Sequence, residues 1–312
     1  MSIKLDLPGL IRDAGFPQSQ PLTLAARGRK GEVAATVGKW ASGRPAIPSD
    51  LFYAASLTKQ VTGAIAALLV SSGALDADAP IASHFLPHWK QRPTPRQLLH
   101  HIGSLSDETL SQSASKNVLW SNSHALELAA ALPEPAQPPG SAYAYSNLGY
   151  ILVATIMEQL TGLPFSDLAA RVLPHRTPAA FVISSDGAMP QSPQVAYLGP
   201  RLPLSVGDGG LWTTAEAYVD FLDAQNRNQF GTARLTQGDH LLSSGEPTAY
   251  GWGVGIRSFR GQPLFIHGGS WTGARAKAVR CPSLGLTVVV LTTDDQEAVG
   301  KLVDSLCQAV VA

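Results

Sequence analysis

The sequence predicts an α+β protein: an antiparallel sheet flanked by helices, built from both ends of the chain, with an inserted mainly helical domain. Three observations predict it. Strand-like segments occur near the start, a second group with hairpin-length gaps fills residues 250 to 292, and helical periodicity occupies the stretch between. The expected division assigns residues 1–75 and 210–312 to the sheet domain and 76–209 to the helical domain, with the active site in the cleft between them.

Taken in order, Leu22 to Val37 reads as two short strands around the polar turn Arg27-Gly31. From Leu57 the pattern changes: Val61, Ile65, Leu68 and Leu69 recur at helical spacing, and Gly73 follows as a C-terminal stop. Arg96 to His101, His124 to Leu132 and Asn147 to Leu160 continue as helices separated by proline-rich connectors such as "LPEPAQPPG". Residues 173 to 205 are rich in Pro, Ser and Gly with little periodicity, and read as a long excursion over the surface. "YGWGVGI" at 250 to 256, "PLFIHGG" at 263 to 269, "ARAKAVR" at 274 to 280 and "LTVVVLT" at 286 to 292 read as antiparallel strands. The last segment carries Val299, Leu302, Val303, Leu306 and Val310 on one helical face.

Bulk properties narrow the class of function. A chain of 312 residues buries roughly three quarters of its unfolded surface. With 23 basic and 23 acidic residues and no block of like charge, neither nucleic acid nor an anionic membrane is an expected partner. Cys281 and Cys307 form no CxxC or zinc pattern. No signal-peptide pattern opens the sequence and no apolar run reaches the roughly 18 residues of a membrane span, so a soluble, cytoplasmic protein is expected. Neither a metal nor an organic cofactor is expected. His84 and His88 are separated by Pro87, which breaks the helix that would align them, and no H-E-x-x-H occurs. The G-x-S-x-G elbow of α/β-hydrolases is also missing.

The chemistry-bearing segment is "YAASLTKQ", where Lys59 follows Ser56 by three residues at the head of an apolar helix. That spacing puts both side chains on one face, and a serine hydroxyl needs an adjacent base to become a nucleophile. The pair alone decides nothing: roughly one S-x-x-K is expected by chance in a chain of this length, and Ser113 to Lys116 is a second copy, in a polar stretch that reads as a solvated loop.

Its companions decide it. Tyr145-Ser146-Asn147 and His267-Gly268-Gly269 follow in order, with "TPRQLLHHIGSL" at 94 to 105 and "GDGGLWTTAEAYVDFL" at 207 to 222 between and around them. With these elements the sequence resembles the β-lactamase and penicillin-binding serine hydrolase superfamily, in particular its class C-like branch of esterases and D-peptidases, over about residues 20 to 295. The resemblance implies the fold of that superfamily and an acyl-enzyme on Ser56, with Lys59 as proton acceptor and Tyr145 sharing the proton traffic. It implies that Asn147 orients the lysine and meets the substrate, and that Ser56 and Ser270 supply the oxyanion N–H groups beside His267, Gly268 and Gly269. Tyr53, Trp212 and Trp271, next to these segments, are candidates for lining the pocket.

His267 stands where β-lactamases have a lysine, and a mostly neutral histidine is a poor partner for a substrate carboxylate. Carboxylic ester hydrolysis is therefore the first expectation, with a small-molecule ester, amide or D-peptide as substrate. D-amino-acid amide or peptide hydrolysis is second, ahead of weak β-lactamase activity. A non-catalytic binding or sensor module on the same fold would have lost Ser56, Lys59 or Tyr145, and all three are present.

Overall fold

The computed structural model describes residues 5–105, 107, 121–175, 181–183, 189–200, 202–233, 241–294 and 296–311. The second S-x-x-K, Ser113 to Lys116, lies outside them.

The predicted N-terminal hairpin forms β1 (Leu22–Gly28) and β2 (Gly31–Val37), closed at the pair Gly28–Gly31. Its partner is β9 (Leu286–Thr292), near the other end of the chain. The six-stranded sheet runs β2-β1-β9-β8-β7-β6, with β6 at Gly255–Phe259, β7 at Gln262–Trp271 and β8 at Ala274–Cys281, every neighbouring pair antiparallel. β9 sits centrally and every one of its residues is buried, which explains its unbroken apolar and β-branched composition.

Both faces of the sheet are covered. Against one lie α1 (Leu7–Asp13) and the C-terminal α8 (Gln296–Val311), where Val299, Leu302, Val303, Leu306 and Val310 pack on Leu24, Val288 and Val290. Against the other lie α2 (Thr58–Ser71) and α7 (Ala215–Asn226), whose Val61, Tyr218 and Phe221 join Ala25, Val289 and Leu291. The intervening chain contributes α3 (Pro95–Leu99), α4 (Asn122–Ala131), α5 (Asn147–Thr161) and α6 (Phe165–Ala170). Helix α3 opens on a capping box between Thr94 and Gln97, and α5 stops at Gly162 in the left-handed region. Among the described residues no helix is long and apolar enough to cross a membrane.

Two expectations need correction. The 173 to 205 segment is more than a surface excursion. Phe181–Ile183 (β4) pairs with Leu211–Thr213 (β5), which also pairs with Phe52–Tyr53 (β3). Gln194 is fully buried: its side-chain oxygen accepts from the Tyr53 N–H at 2.7 Å, and its amide donates to the carbonyls of Gly273 and Thr292. The second correction concerns 250 to 256, where β6 begins only at Gly255. Residues 251 to 254 turn tightly, with Gly251 N–H donating to Val254 O at 2.7 Å. The turn packs on α2 so closely that a Cβ at Gly253 (φ +82) would lie 2.2 Å from Lys59 O. Gly253 is the glycine of this segment that serves the helix contact.

Candidate active site

Strand β3 feeds a short 3-10 turn, Ala55–Leu57, that runs directly into α2 and carries Ser56. Ala55 takes φ +46, a conformation costly for a residue with a Cβ, and Thr58 Oγ1 donates to its carbonyl at 2.7 Å. From the other side β7 presses on this turn: a Cβ at Gly269 would lie 2.4 Å from Ala54 O. Gly269 is thus required by the approach of β7 to the serine turn, and Ser270, the next residue, lines the same cavity as Ser56.

Lys59 is fully buried. Its Nζ lies 3.2 Å from Ser56 Oγ, 2.7 Å from Asn147 Oδ1 and 2.9 Å from the carbonyl oxygen of Asp208. Three acceptors match the three donors of an ammonium. In the neutral form, two N–H groups serve the two carbonyl oxygens and the lone pair is left facing Ser56 Oγ, the geometry of a base. The Asp208 carboxyl is buried, and desolvation raises its pKa against the opposing pull of Lys59 and of the Ser205 hydroxyl, 2.7 Å away.

Asn147 begins α5, and Tyr145 stands two residues before it. The helix N-terminus is held by Asp107, which accepts from the Ser146 hydroxyl (3.0 Å) and the Asn147 N–H (2.7 Å), a favourable place for an anion. His101 lies beneath this turn. Its Nδ1 accepts from the Ser146 N–H at 3.1 Å and its ring stacks on Tyr145 with centroids 4.2 Å apart. Burial first, then the charge of Lys59, push its pKa well down, so His101 is neutral. The Tyr145 ring faces Lys59 Nζ at 5.0 Å; the side chain is 38% exposed and its hydroxyl makes no hydrogen bond among the described residues.

His267, on β7, is buried, and desolvation followed by Lys59 pushes its pKa down to about 3. The ring is therefore neutral, and its contacts fix the tautomer. Tyr250, whose pKa burial raises well above the usual value, keeps its proton and donates to Nε2 at 2.7 Å, leaving Nδ1–H to donate to Gly268 O at 2.7 Å.

Ser56, Tyr145, Asn147, Gly268, Gly269 and Ser270 thus border one open cavity of about 470 Å³, while Lys59, buried behind it, bonds Ser56 and Asn147, and His267 is buried next to Gly268. Tyr53 and Trp212 do not line it: both are buried, with rings 5.2 Å apart, in a cluster against which Trp271 packs. Sequence reasoning missed Asp107, Asp208 and Tyr250 and left His101 unassigned. His101 and Asp208 fall inside the quoted segments "TPRQLLHHIGSL" and "GDGGLW", the one signal that pointed to them.

A buried lysine bonded to a serine at the head of a helix, with a tyrosine and an asparagine sharing one cavity with strand β7, is an arrangement of the β-lactamase type. The family model described as Beta-lactamase matches residues 22–309, and the chain belongs to that family, within the β-lactamase and penicillin-binding serine hydrolase superfamily. It is 29% identical over 261 residues to a D-aminopeptidase of Cereibacter sphaeroides, covering 78% of this chain and 50% of that protein. It is 27% identical over 267 residues to a D-aminopeptidase of Gluconobacter oxydans, covering 79% and 50%. The chain therefore spans about half the length of the curated relatives it matches. In fold it resembles the D-amino acid amidase of Ochrobactrum anthropi (TM-score 0.79, 20% identity, 98% of each chain). A penicillin binding protein of Bacillus halodurans is also similar (TM-score 0.73, 22% identity, 97% and 100%). At these identities the likeness speaks for the fold alone.

Proposed function

We propose that this protein hydrolyses amide bonds on the carboxyl side of a D-amino acid, in D-amino-acid amides and short D-peptides, through an acyl-Ser56 intermediate. The observation that carries the acyl-transfer part is the 3.2 Å contact between Lys59 Nζ and Ser56 Oγ, with two further acceptors fixing the amine. The choice of amides over the carboxylic esters expected first is supported by the D-aminopeptidases that this chain matches over 78 to 79% of its length.

In the first step Lys59 accepts the Ser56 proton as Oγ attacks the substrate carbonyl. The backbone N–H groups of Ser56 and Ser270 receive the developing oxyanion, each worth a few kcal/mol in such sites. The proton then passes to the leaving nitrogen through Tyr145, whose hydroxyl is unengaged by the described residues and whose ring borders Lys59. In the second step water enters, gives up a proton to the same pair and releases the D-amino acid from Ser56. Asn147 holds Lys59 and faces the cavity, where it meets the acyl group. In this reading the cleft between the sheet and the 76–209 segment receives the substrate.

The test compares D-alaninamide, L-alaninamide and p-nitrophenyl acetate on wild type and on Ser56→Ala. The reading expects the D-amide to be favoured over the L-amide by roughly 10²-fold or more in kcat/KM, with all turnover lost in the variant. Rapid ester cleavage with both amides inert would return the ester reading to first place.

A further inference from the structure

The segment from Ser205 to Leu211 carries a buried acid that the proposed steps do not use. Its main chain is tied to two elements. Thr62 of α2 donates to Gly207 O at 2.6 Å and Leu211 N–H donates to Thr58 Oγ1 at 3.2 Å, while Gly210 N–H donates to the Tyr53 hydroxyl of β3 at 3.3 Å. A Cβ at Gly209 would lie 2.5 Å from that hydroxyl, so the chain runs directly against β3 here. Between these ties Asp208 has its main-chain oxygen 2.9 Å from Lys59 Nζ, and its buried carboxyl accepts from the Ser205 hydroxyl at 2.7 Å.

Most titratable groups around this acid and the amine carry no charge. Tyr53 on β3, Tyr150 on α5 and Tyr250 before β6 keep their protons, because burial raises the pKa of each. His101 and His267 are neutral. Tyr145, at the head of α5, is assigned to the leaving group. Asp107 is occupied at the start of α5, where it accepts from Ser146 and Asn147, and its charge opposes a second one at Asp208. An ionised Asp208, supported by the Ser205 hydroxyl and its own N–H, therefore needs a cation, and Lys59 is the cation that acts on it.

We propose that Asp208 is a positioning residue for the acyl transfer, whose carboxylate stabilises the positive charge that Lys59 acquires from the Ser56 proton. The inference rests on the reading of Lys59 as the base for Ser56 and deepens it, adding a charge behind the base to the nucleophile and the base. In the step the O–H bond of Ser56 breaks, an N–H bond forms on Nζ, and Oγ keeps the electron pair with which it attacks. The new ammonium and the carboxylate are then neutral as a pair. The main-chain oxygen of Asp208 fixes where Nζ sits, and the carboxylate sets how readily it takes the proton. The pull is mutual, since a cation that favours the ionised carboxyl is itself held charged by it.

The experiment follows the rate of Ser56 labelling by a fluorophosphonate from about pH 5 to 10 on wild type, Asp208→Asn and Asp208→Ala. Urea unfolding at neutral pH shows which variants are folded, and one of the two suffices. Both keep the main-chain oxygen that bonds Nζ and lose only the charge. The pH at which labelling reaches half its plateau should move down by about one unit, because an amine without the carboxylate gives up its proton more readily. The plateau rate should fall about three- to tenfold, the mark of a weaker base. A merely structural role would lower the plateau and leave the half-point in place. That result overturns the inference while Ser56 and Lys59 keep their roles. Folded wild type that takes no label overturns the acyl-transfer reading, and the inference with it.

Discussion

The two flanks of Ser56 are built differently. On the Lys59 flank everything is buried and bonded: the amine touches Ser56, Asn147 and Asp208, and the helix that carries it is pinned by Gly253 and Thr58. On the Tyr145 flank the ring is held by stacking on His101, while the residue is partly exposed and its hydroxyl makes no hydrogen bond among the described residues. The difference teaches which half of the machinery folding completes and which half is left for substrate. A proton acceptor must be positioned before substrate arrives, and burial among fixed acceptors does that; a proton donor to the leaving group needs a free hydroxyl, and stacking orients it without engaging it.

Breaking the closed flank should have the largest effect. Lys59→Met removes the proposed base and leaves Asn147 Oδ1 and Asp208 O without their buried donor, so turnover should fall about 10³-fold or more and stability drop by roughly 1–3 kcal/mol per orphaned group. Steady-state kinetics and a urea titration on one preparation read both. Tyr145→Phe should separate the two quantities: turnover falls about 10²-fold or more, while the unfolding midpoint barely moves because the hydroxyl holds nothing in place. A matching loss of stability in Tyr145→Phe would erase the contrast between the flanks.

Asp107→Ala probes the seam between them. It removes the acceptor of Ser146 Oγ and of Asn147 N–H at the start of α5, and should cost about 1–2 kcal/mol by denaturant unfolding with a several-fold loss of turnover through Asn147. The smallest effect is a pH slope. His101 and His267 have folded pKa values below the unfolded value of about 6.5, so the unfolded chain binds more protons as the solution is acidified. Their contribution makes stability rise with pH up to about 6.5 and fall below it, by at most ~1.4 kcal/mol per pH unit for each histidine. Unfolding between pH 5 and 7.5 should show this slope, and it should flatten in His267→Gln.

Periodicity and short motifs carried the reading wherever contacts are local or faces are regular. The strand 286 to 292, the C-terminal helical face and the S-x-x-K turn are of this kind, since each is written within one or two turns or a few alternating residues. Gln194 shows where that information ends. Its neighbours have no period because its work is done 141, 79 and 98 residues away, at Tyr53, Gly273 and Thr292. Asp208 was hidden for a related reason: the lysine uses its backbone carbonyl, which any residue offers. His101 and Tyr250 act through stacking and a hydrogen bond to residues remote in sequence, and a histidine or tyrosine in isolation reads as ordinary core.

The central claim is that the closed flank makes Ser56 the acylated nucleophile. Intact-protein mass spectrometry after fluorophosphonate treatment, run in parallel on wild type, Ser56→Ala and Lys59→Met, tests it most directly. The account predicts one adduct per wild-type chain, none on Ser56→Ala and labelling slowed at least about 10²-fold on Lys59→Met. An adduct that persists in Ser56→Ala, or folded wild-type protein that takes none, would contradict it.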